Sequence, residues 1–176
     1  MEAVTNTMRK IRIDKITLNI GAGKNTELLE KGVKLLTELT GIPPVKTITN
    51  KRIPTWGLRP GLPIGCKLTL RGDKGRELLV RLLKAKENKL TQSQFDDNGN
   101  ISFGIHEYID VPGAKYNPEI GIIGFQVCVT LQRPGFRVKR RRLRSARLCK
   151  THNIMKEDSM NFMAEEFGVK VAGEDE

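Results

Sequence analysis

The chain is poor in the residues on which most secreted and membrane proteins depend. Of its 176 residues three are Cys, and only 5% are aromatic. Cys66, Cys128 and Cys149 are scattered and odd in number, and the N-terminus has no apolar leader. This pattern predicts a reducing cytoplasm rather than a disulfide scaffold. No stretch approaches 18 consecutive apolar residues, so the sequence predicts no membrane span and no membrane partner.

The scarcity of histidine and cysteine also argues against catalysis and metal binding. His106 has no evident nucleophile near it, and Cys149 with His152 forms a single Cys-x-x-His pair, too few ligands for structural zinc. The GAGKN turn at 21–25 fails as a P-loop because the first glycine would fall on Leu18 and an Asn follows the lysine. We expect no catalytic residue, no metal and no cofactor.

Acidic residues are missing from long stretches of a chain with a formal net charge of +11. Leu39–Gly72 holds six basic residues and no acidic one, while Arg137–Lys150 holds eight basic residues in fourteen and again no acid. A protein this basic usually meets a polyanion, because its field attracts one at long range. The basic segment is expected to stay extended until a polyanion neutralises it, although such runs also occur as localisation signals or merely soluble surface.

The run Gly61–Gly72 predicts a strand with two unlike faces. Four apolar residues alternate with Gly65, Lys67, Thr69 and Arg71. Successive side chains of a strand point to opposite faces, so one face meets a core and the other offers cations and a hydroxyl. That division favours a sheet with helices on one side and an anionic partner on the other.

The remaining patterns complete a predicted α+β domain spanning 1–176. Strands are predicted at Ile16–Gly21, Val45–Thr49 and Phe125–Gln132, and a hairpin is predicted to join Leu90–Phe95 to Asn100–Ile105 through Asp97-Asn98-Gly99. Helices are predicted after a cap at Asn25 or Thr26, ending at Gly41, after a cap at Asp73, and at 156–169. The sheet is expected to be mainly antiparallel or mixed. A loose arm (1–10), a Gly/Pro-rich loop at 50–63, a protruding loop (111–124), a basic extension (137–153) and an acidic, frayed end (171–176) complete the chain.

One polar face of the predicted sheet is the strongest candidate site. Its members are Thr17, Asn19, Lys67, Thr69, Arg71, Gln126, Thr130 and Gln132. A solvated face is the plain alternative, but solvated faces usually mix charges of both signs. No aromatic residue alternates into this face, which favours structured RNA gripped through backbone and 2′-hydroxyl groups over stacked, unpaired bases. Trp56 and Tyr116, both in predicted loops, are the only stacking candidates, and Trp56 is as well explained as a loop anchor.

Two segments of the sequence resemble the ribosomal protein L-five family, whose members carry 5S rRNA on the large subunit. They read RPGLPIGCKLTLRG at 59–72 and ITLNIGAGKN at 16–25. The segments FDDNGNISFGI, VPGAKYNPEIGIIG and KEDSMNFMAEEFGV support the resemblance in order along the chain, and the basic insert at 137–153 resembles the archaeal and eukaryotic branch.

The resemblance implies a structural, non-enzymatic role in the cytoplasmic ribosome. Its implied partners are 5S rRNA, 23S rRNA, P-site tRNA, a small-subunit head protein and the neighbouring 5S rRNA-associated proteins of the central protuberance. The expected RNA-binding residues are Thr17, Asn19, Lys46, Thr47, Arg59, Lys67, Thr69, Arg71, Arg137, Lys139, Arg140, Arg141 and Arg142. The loop residues Lys115, Tyr116 and Asn117 are expected to reach toward tRNA and the other subunit, carrying contacts rather than stability. A free-standing RNA-binding or chaperone protein and an enzyme acting on RNA or nucleotides remain the alternatives.

Overall fold

Alternating apolar and polar side chains build the strands of the protein, for which a computed structural model describes residues 6–172. The seven strands are β1 (Arg12–Gly21), β2 (Val45–Ile48), β3 (Pro63–Leu70), β4 (Lys89–Thr91), β5 (Ile101–Ile105), β6 (Phe125–Gln132) and β7 (Lys170–Ala172). Five of them form an antiparallel sheet in the order β2-β3-β1-β6-β5, while β4 and β7 form a separate parallel pair. The predicted α+β class with a mainly antiparallel sheet is confirmed.

Local capping chemistry sets the ends of the helices, which are α1 (Thr26–Thr40), α2 (Gly72–Ala85), the single turn α3 (Arg137–Arg140) and α4 (Lys156–Phe167). The Asn25 side chain accepts hydrogen bonds from the N–H groups of Glu27 and Leu28 at the start of α1. Gly41 ends that helix with a φ of +70°. The predicted cap at Asp73 is wrong, because α2 begins at Gly72 and Asp73 lies inside its first turn.

The helices pack on one side of the sheet around a single core. Ile16 and Leu18 of β1 and Leu35 and Leu36 of α1 are fully buried there. Helix α1 lies close to the sheet at Gly32, where a Cβ atom would stand 3.2 Å from the Sγ of Cys66. The helix side of the sheet is therefore closed, and the opposite side is left for a partner.

Two predicted elements differ from the structure because their partners are distant in sequence. The predicted turn at 97–99 forms, with Gly99 N–H donating to the Asp96 carbonyl at 2.9 Å. The predicted pairing of its two arms is wrong: β4 stops at Thr91, a 3₁₀ turn follows, and only a single bridge joins Phe95 to Ile101. Strand β4 pairs instead with β7, so residues 171–172 of the predicted frayed end are ordered in a strand. Residues 173–176 of that end, and residues 1–5 of the predicted arm, lie outside the described residues.

Candidate nucleic-acid interface

Antiparallel pairing arranges the polar side chains of the sheet in rows across its open face, the side opposite the helices. One row runs Lys67, Asn19, Gln126, and the next runs Thr69, Thr17, Cys128. Directly paired residues project to the same side, so these side chains are neighbours. The Nδ2 of Asn19 donates a hydrogen bond to Oε1 of Gln126 at 3.2 Å. The structure thus brings together the predicted residues of β1, β3 and β6.

The open face carries more positive charge than the sequence patterns indicated. Lys15 pairs with Thr130 and Arg12 with Gln132, which puts both cations on the same side as Lys67. Strand β1 begins four residues earlier than predicted. The sequence pattern missed these residues because an irregularity in pairing between Ile13 and Lys15 interrupts the alternation of apolar and polar side chains. A signal for the longer strand was present in β6, whose apolar and polar side chains alternate as far as Gln132. A strand of that length needs a partner that reaches Arg12.

Within residues 6–172, the strands of the sheet place no free carboxylate on the open face to offset these cations. Asp14 is the only acid within the five strands, and it is 8% exposed at the irregularity in β1. Its Oδ2 lies 2.8 Å from Nη1 of Arg140, an ion pair without a well-aligned hydrogen bond. The field above the sheet is therefore positive and uncompensated, which suits an anionic partner.

Aromatic side chains of the strands all lie on the core side. Phe103 and Phe125 are each 4% exposed and belong to the core. Since stacking of unpaired bases on a sheet requires exposed aromatic rings, the open face is suited to phosphate and sugar groups instead. Thr, Asn and Gln donors on this face match those oxygen acceptors.

Three predicted residues lie at the edge of this face or beyond it. Thr47 of β2 pairs with Gly65 and belongs to the open face. Lys46 pairs with Cys66 and so projects to the helix side, away from the open face. The face on which a residue of this edge strand lies follows from its register with β3. Arg59 lies in the loop before β3, where it lines a cavity with Lys24 and Arg52.

The basic extension begins where the open face ends. Arg140 Nη2 donates to Oε1 of Gln132, the last residue of β6, at 3.5 Å. Residues 137–140 form one helical turn rather than the extended chain that was predicted. Two contacts within the protein stabilise this turn: Arg140 forms an ion pair with Asp14, and the Lys139 ammonium lies over the ring of Phe136. The predicted residues of this extension are all exposed at the surface: Arg137, Lys139, Arg140, Arg141 and Arg142. Sheet face and extension therefore form one continuous basic surface.

The loop 111–124 is more firmly attached than its composition predicts. Asn117 N–H donates to the hydroxyl of buried Tyr108 at 2.8 Å, and Asn117 Nδ2 donates to Glu38 at 3.0 Å. Lys34 and Glu119 form an exposed ion pair at 2.9 Å, which raises the pKa of Lys34 and lowers that of Glu119. Lys115 and Tyr116 remain exposed at the tip, so they are free for a contact while Asn117 holds the loop to α1.

Within residues 6–172 the groups that catalysis would need do not come together. The ring of His152 contacts the Pro134 carbonyl at 2.9 Å and packs edge-on against Phe136, a structural position. No group of three or more His, Cys, Asp or Glu residues in this part of the chain could hold a metal ion. Among the described helices, none has both the length and the apolar character needed to cross a bilayer.

These features define a class: a basic α+β protein that presents an uncompensated polar sheet face and has no catalytic cluster in the part described. Comparison with known proteins narrows it. Residues 6–59 match the family model "Ribosomal protein L5", and residues 63–162 match the model for the C-terminus of the same ribosomal family. The chain belongs to the ribosomal protein L5 family, the L-five family of the sequence resemblance, whose members are structural proteins and not enzymes.

The three relatives reported below are archaeal, in line with the resemblance of the basic insert to the archaeal and eukaryotic branch. The chain is 48% identical over 167 residues to large ribosomal subunit protein uL5 of Sulfurisphaera tokodaii, covering 94% of each chain. It is 50% identical over 165 residues to the uL5 protein of Nanoarchaeum equitans, covering 93% of this chain and 97% of the relative. The identity to the uL5 protein of Methanosphaera stadtmanae is 46% over 166 residues, covering 94% of this chain and 99% of the relative.

Proposed function

We propose that this chain is a structural component of the large ribosomal subunit that binds 5S rRNA through the open face of its sheet. The observation that carries the proposal is the set of cations Arg12, Lys15, Lys67 and Arg71 on or beside a face whose strands contribute no free carboxylate. Hydroxyl and amide groups between them supply donors for phosphate and 2′-hydroxyl oxygens. Family membership supports a ribosomal, cytoplasmic setting.

The second basic surface fits a second RNA. The extension 137–153 continues the open face past Gln132, and its guanidinium groups lie at the surface. With 5S rRNA on the sheet, this surface attaches the complex to 23S rRNA in the central protuberance, beside the neighbouring 5S rRNA-associated proteins. The exposed tip, Lys115 and Tyr116, then faces the P-site tRNA and the head protein of the small subunit.

Selection of RNA by the purified protein tests the main partner. The protein is mixed with total cellular RNA, captured, and the bound RNA identified by size and sequence; 5S rRNA should be strongly enriched. The same protein should remain with ribosomes at moderate salt, whereas a free-standing RNA-binding protein would be released. Enrichment of other RNAs without 5S rRNA would contradict the proposal.

A charge-reversal pair tests the open face. Lys67→Glu with Arg71→Glu should abolish 5S rRNA binding with the fold intact, because both side chains are exposed and lie outside the core. The matched control, Lys74→Glu with Lys84→Glu, changes net charge equally on exposed positions of α2. Circular dichroism checks that both variants fold. Equal loss of affinity in the two would mean that net charge, and not the open face, decides binding.

A further inference from the structure

The loop between β2 and β3 is a built structure rather than a slack connection. At its base Thr49 N–H donates to the Leu62 carbonyl and Gly61 N–H donates to the Thr49 carbonyl, both at 2.9 Å. Further out, Ile53 and Leu58 exchange two backbone hydrogen bonds of 3.0 Å. Leu58, which closes this outer bridge, is 6% exposed. The tip of the loop is therefore held in a defined position.

That tip presents the one tryptophan of the chain to solvent. Pro54–Trp56 forms a single 3₁₀ turn, closed by a hydrogen bond from Gly57 N–H to the Pro54 carbonyl, with Gly57 at a φ of +65°. The Trp56 side chain is 68% exposed. The sequence left open whether Trp56 anchors the loop; its exposure speaks against that role, whereas Leu58 of the same loop is buried. Because tryptophan is enriched at binding interfaces, an exposed Trp56 on a hydrogen-bonded turn is a candidate for a binding contact.

Next to the tip lies a cavity lined by three cations. It has a volume of about 550 Å³ and is lined by Lys24, Arg52 and Arg59 together with Pro54, Gly57, Leu58 and Leu62. Lys24 comes from the turn after β1, which is tied to β3 because Ala22 and Gly23 N–H both donate to the Ile64 carbonyl at 2.9 Å. Its Nζ lies 3.3 Å from where a Cβ of Gly57 would stand.

The three cations have no counter-charge in the described part of the chain. No acid lines the cavity, and none of the ion pairs formed within residues 6–172 includes Lys24, Arg52 or Arg59. Three like charges at one small cavity repel one another, so an anion is the ligand that this arrangement favours. A phosphate group satisfies the cations, and the exposed indole of Trp56, which lies in sequence between the lining residues Pro54 and Gly57, offers a face for a base.

We propose that the loop 49–62, with Lys24, is a binding site for one unpaired nucleotide of RNA, its phosphate among Lys24, Arg52 and Arg59 and its base stacked on Trp56. The inference rests on the proposed function, since it takes the RNA to be 5S rRNA. It adds a contact that the open face cannot make, because the strands carry no aromatic residue there. The open face holds structured RNA, and this loop takes a base that has left the helix.

Intrinsic fluorescence tests the proposal, because Trp56 is the only tryptophan in the sequence. Stacking on a base should quench its emission when 5S rRNA is added, and a single-stranded RNA of about ten nucleotides should do the same at higher concentration. A fully paired RNA duplex should bind through the basic surfaces without quenching. Quenching by the duplex equal to that by the single strand would overturn the proposal.

Variants separate stacking from charge. Trp56→Leu should weaken 5S rRNA binding by about 5- to 150-fold, the range for loss of one stacked base, whereas Trp56→Phe keeps most of the affinity. Lys24→Gln with Arg52→Gln should weaken binding and flatten its salt dependence by about one phosphate contact. The proposal would be wrong if Trp56→Leu kept its affinity for 5S rRNA and the wild-type complex showed no quenching of Trp56. Trp56 would then be interpreted as a contact for a protein.

These experiments distinguish a failure of the nucleotide site in the loop 49–62 from a failure of 5S rRNA as the proposed partner. In the Lys67→Glu, Arg71→Glu variant the single-stranded RNA should still quench Trp56, since Lys67 lies in β3, Arg71 directly follows it, and both are outside the loop. If the wild-type protein fails to select 5S rRNA while the single strand quenches, the proposed partner is wrong and the nucleotide site stands. If 5S rRNA is selected and the single strand does not quench, the partner stands and the nucleotide site is wrong.

Discussion

Nη1 of Arg140 lies 2.8 Å from Oδ2 of Asp14, which joins the basic extension to the irregularity in the first strand of the sheet. Asp14 is 8% exposed, and its carboxylate has little water to solvate it. The ion pair therefore does two things: it neutralises the single acid among the five strands, and it fixes the first turn of the extension beside Gln132.

Breaking this pair should cost stability. Arg140→Met leaves a nearly buried carboxylate without its partner and should lower the free energy of unfolding by about 1–3 kcal/mol. Asp14→Asn combined with Arg140→Met should cost less than the sum of the single changes, as a double-mutant cycle by urea unfolding would measure. Arg142→Met, at an exposed position outside the ion pairs of residues 6–172, is the control. Equal stability of the two arginine variants would show that the pair contributes nothing.

RNA affinity should depend steeply on salt. If about six phosphates are neutralised, the logarithm of the association constant should fall with the logarithm of salt concentration with a slope on the order of −4 to −5. Filter binding or fluorescence anisotropy over a range of salt concentrations measures the slope. A flat dependence would mean that the basic surface is not the binding surface.

The loop 111–124 should divide into an anchor and a contact. Lys115→Ser with Tyr116→Ser changes only the exposed tip, so melting temperature and 5S rRNA affinity should stay nearly unchanged while subunit association of ribosomes containing the variant is impaired. Tyr108→Phe removes the hydroxyl that accepts from Asn117 N–H and should cost about 0.5–1.5 kcal/mol of stability. Loss of 5S rRNA affinity in the folded tip variant would put the tip in the primary RNA site.

The cysteines should differ in their reactivity with pH. The Thr151 hydroxyl, which lies 3.2 Å from the Cys149 sulfur, lowers the pKa of that exposed thiol, since a donated hydrogen bond stabilises the thiolate. Burial raises the pKa of Cys66, since desolvation disfavours its thiolate. In a Cys128→Ser background, alkylation of Cys149 should therefore begin at lower pH than for a free cysteine, and Thr151→Val should reverse this.

Cys66 serves as the internal control for that experiment. It is fully buried and should react only after unfolding. Alkylation rates followed by mass spectrometry over a range of pH give both profiles at once. Cys149 and Cys66 reacting at the same pH in the folded protein would contradict both assignments.

The elements that could be predicted from the sequence are those whose chemistry is local. Asn25 and Gly41 set the ends of α1 through bonds to residues within four positions, and the alternation in β3 assigns Lys67 and Thr69 to one face without further information. The open face could thus be predicted from single strands, and the comparisons confirm the family that its motifs resemble.

What could not be predicted depends on contacts between distant residues. Lys15 joined the open face only through its pairing with Thr130, and the register of β2 placed Lys46 on the helix side. The cavity beside Trp56 needs Lys24, which is 28 residues before Arg52 and reaches the loop because its turn is bonded to Ile64. Composition shows that such cations exist, but only the fold shows that they converge.

The strand order has a consequence for how the chain emerges during its own synthesis. Strand β1 is central and pairs with β3 on one side and β6 on the other. Its partner β3 is made soon after it, but β6 follows only after Ile123 and Gly124, when most of the chain already exists. Until then a nascent chain exposes an unpaired strand edge that can join another chain. The time between translation of Leu70 and of Gln132 is thus the interval in which this protein is most prone to misassociate.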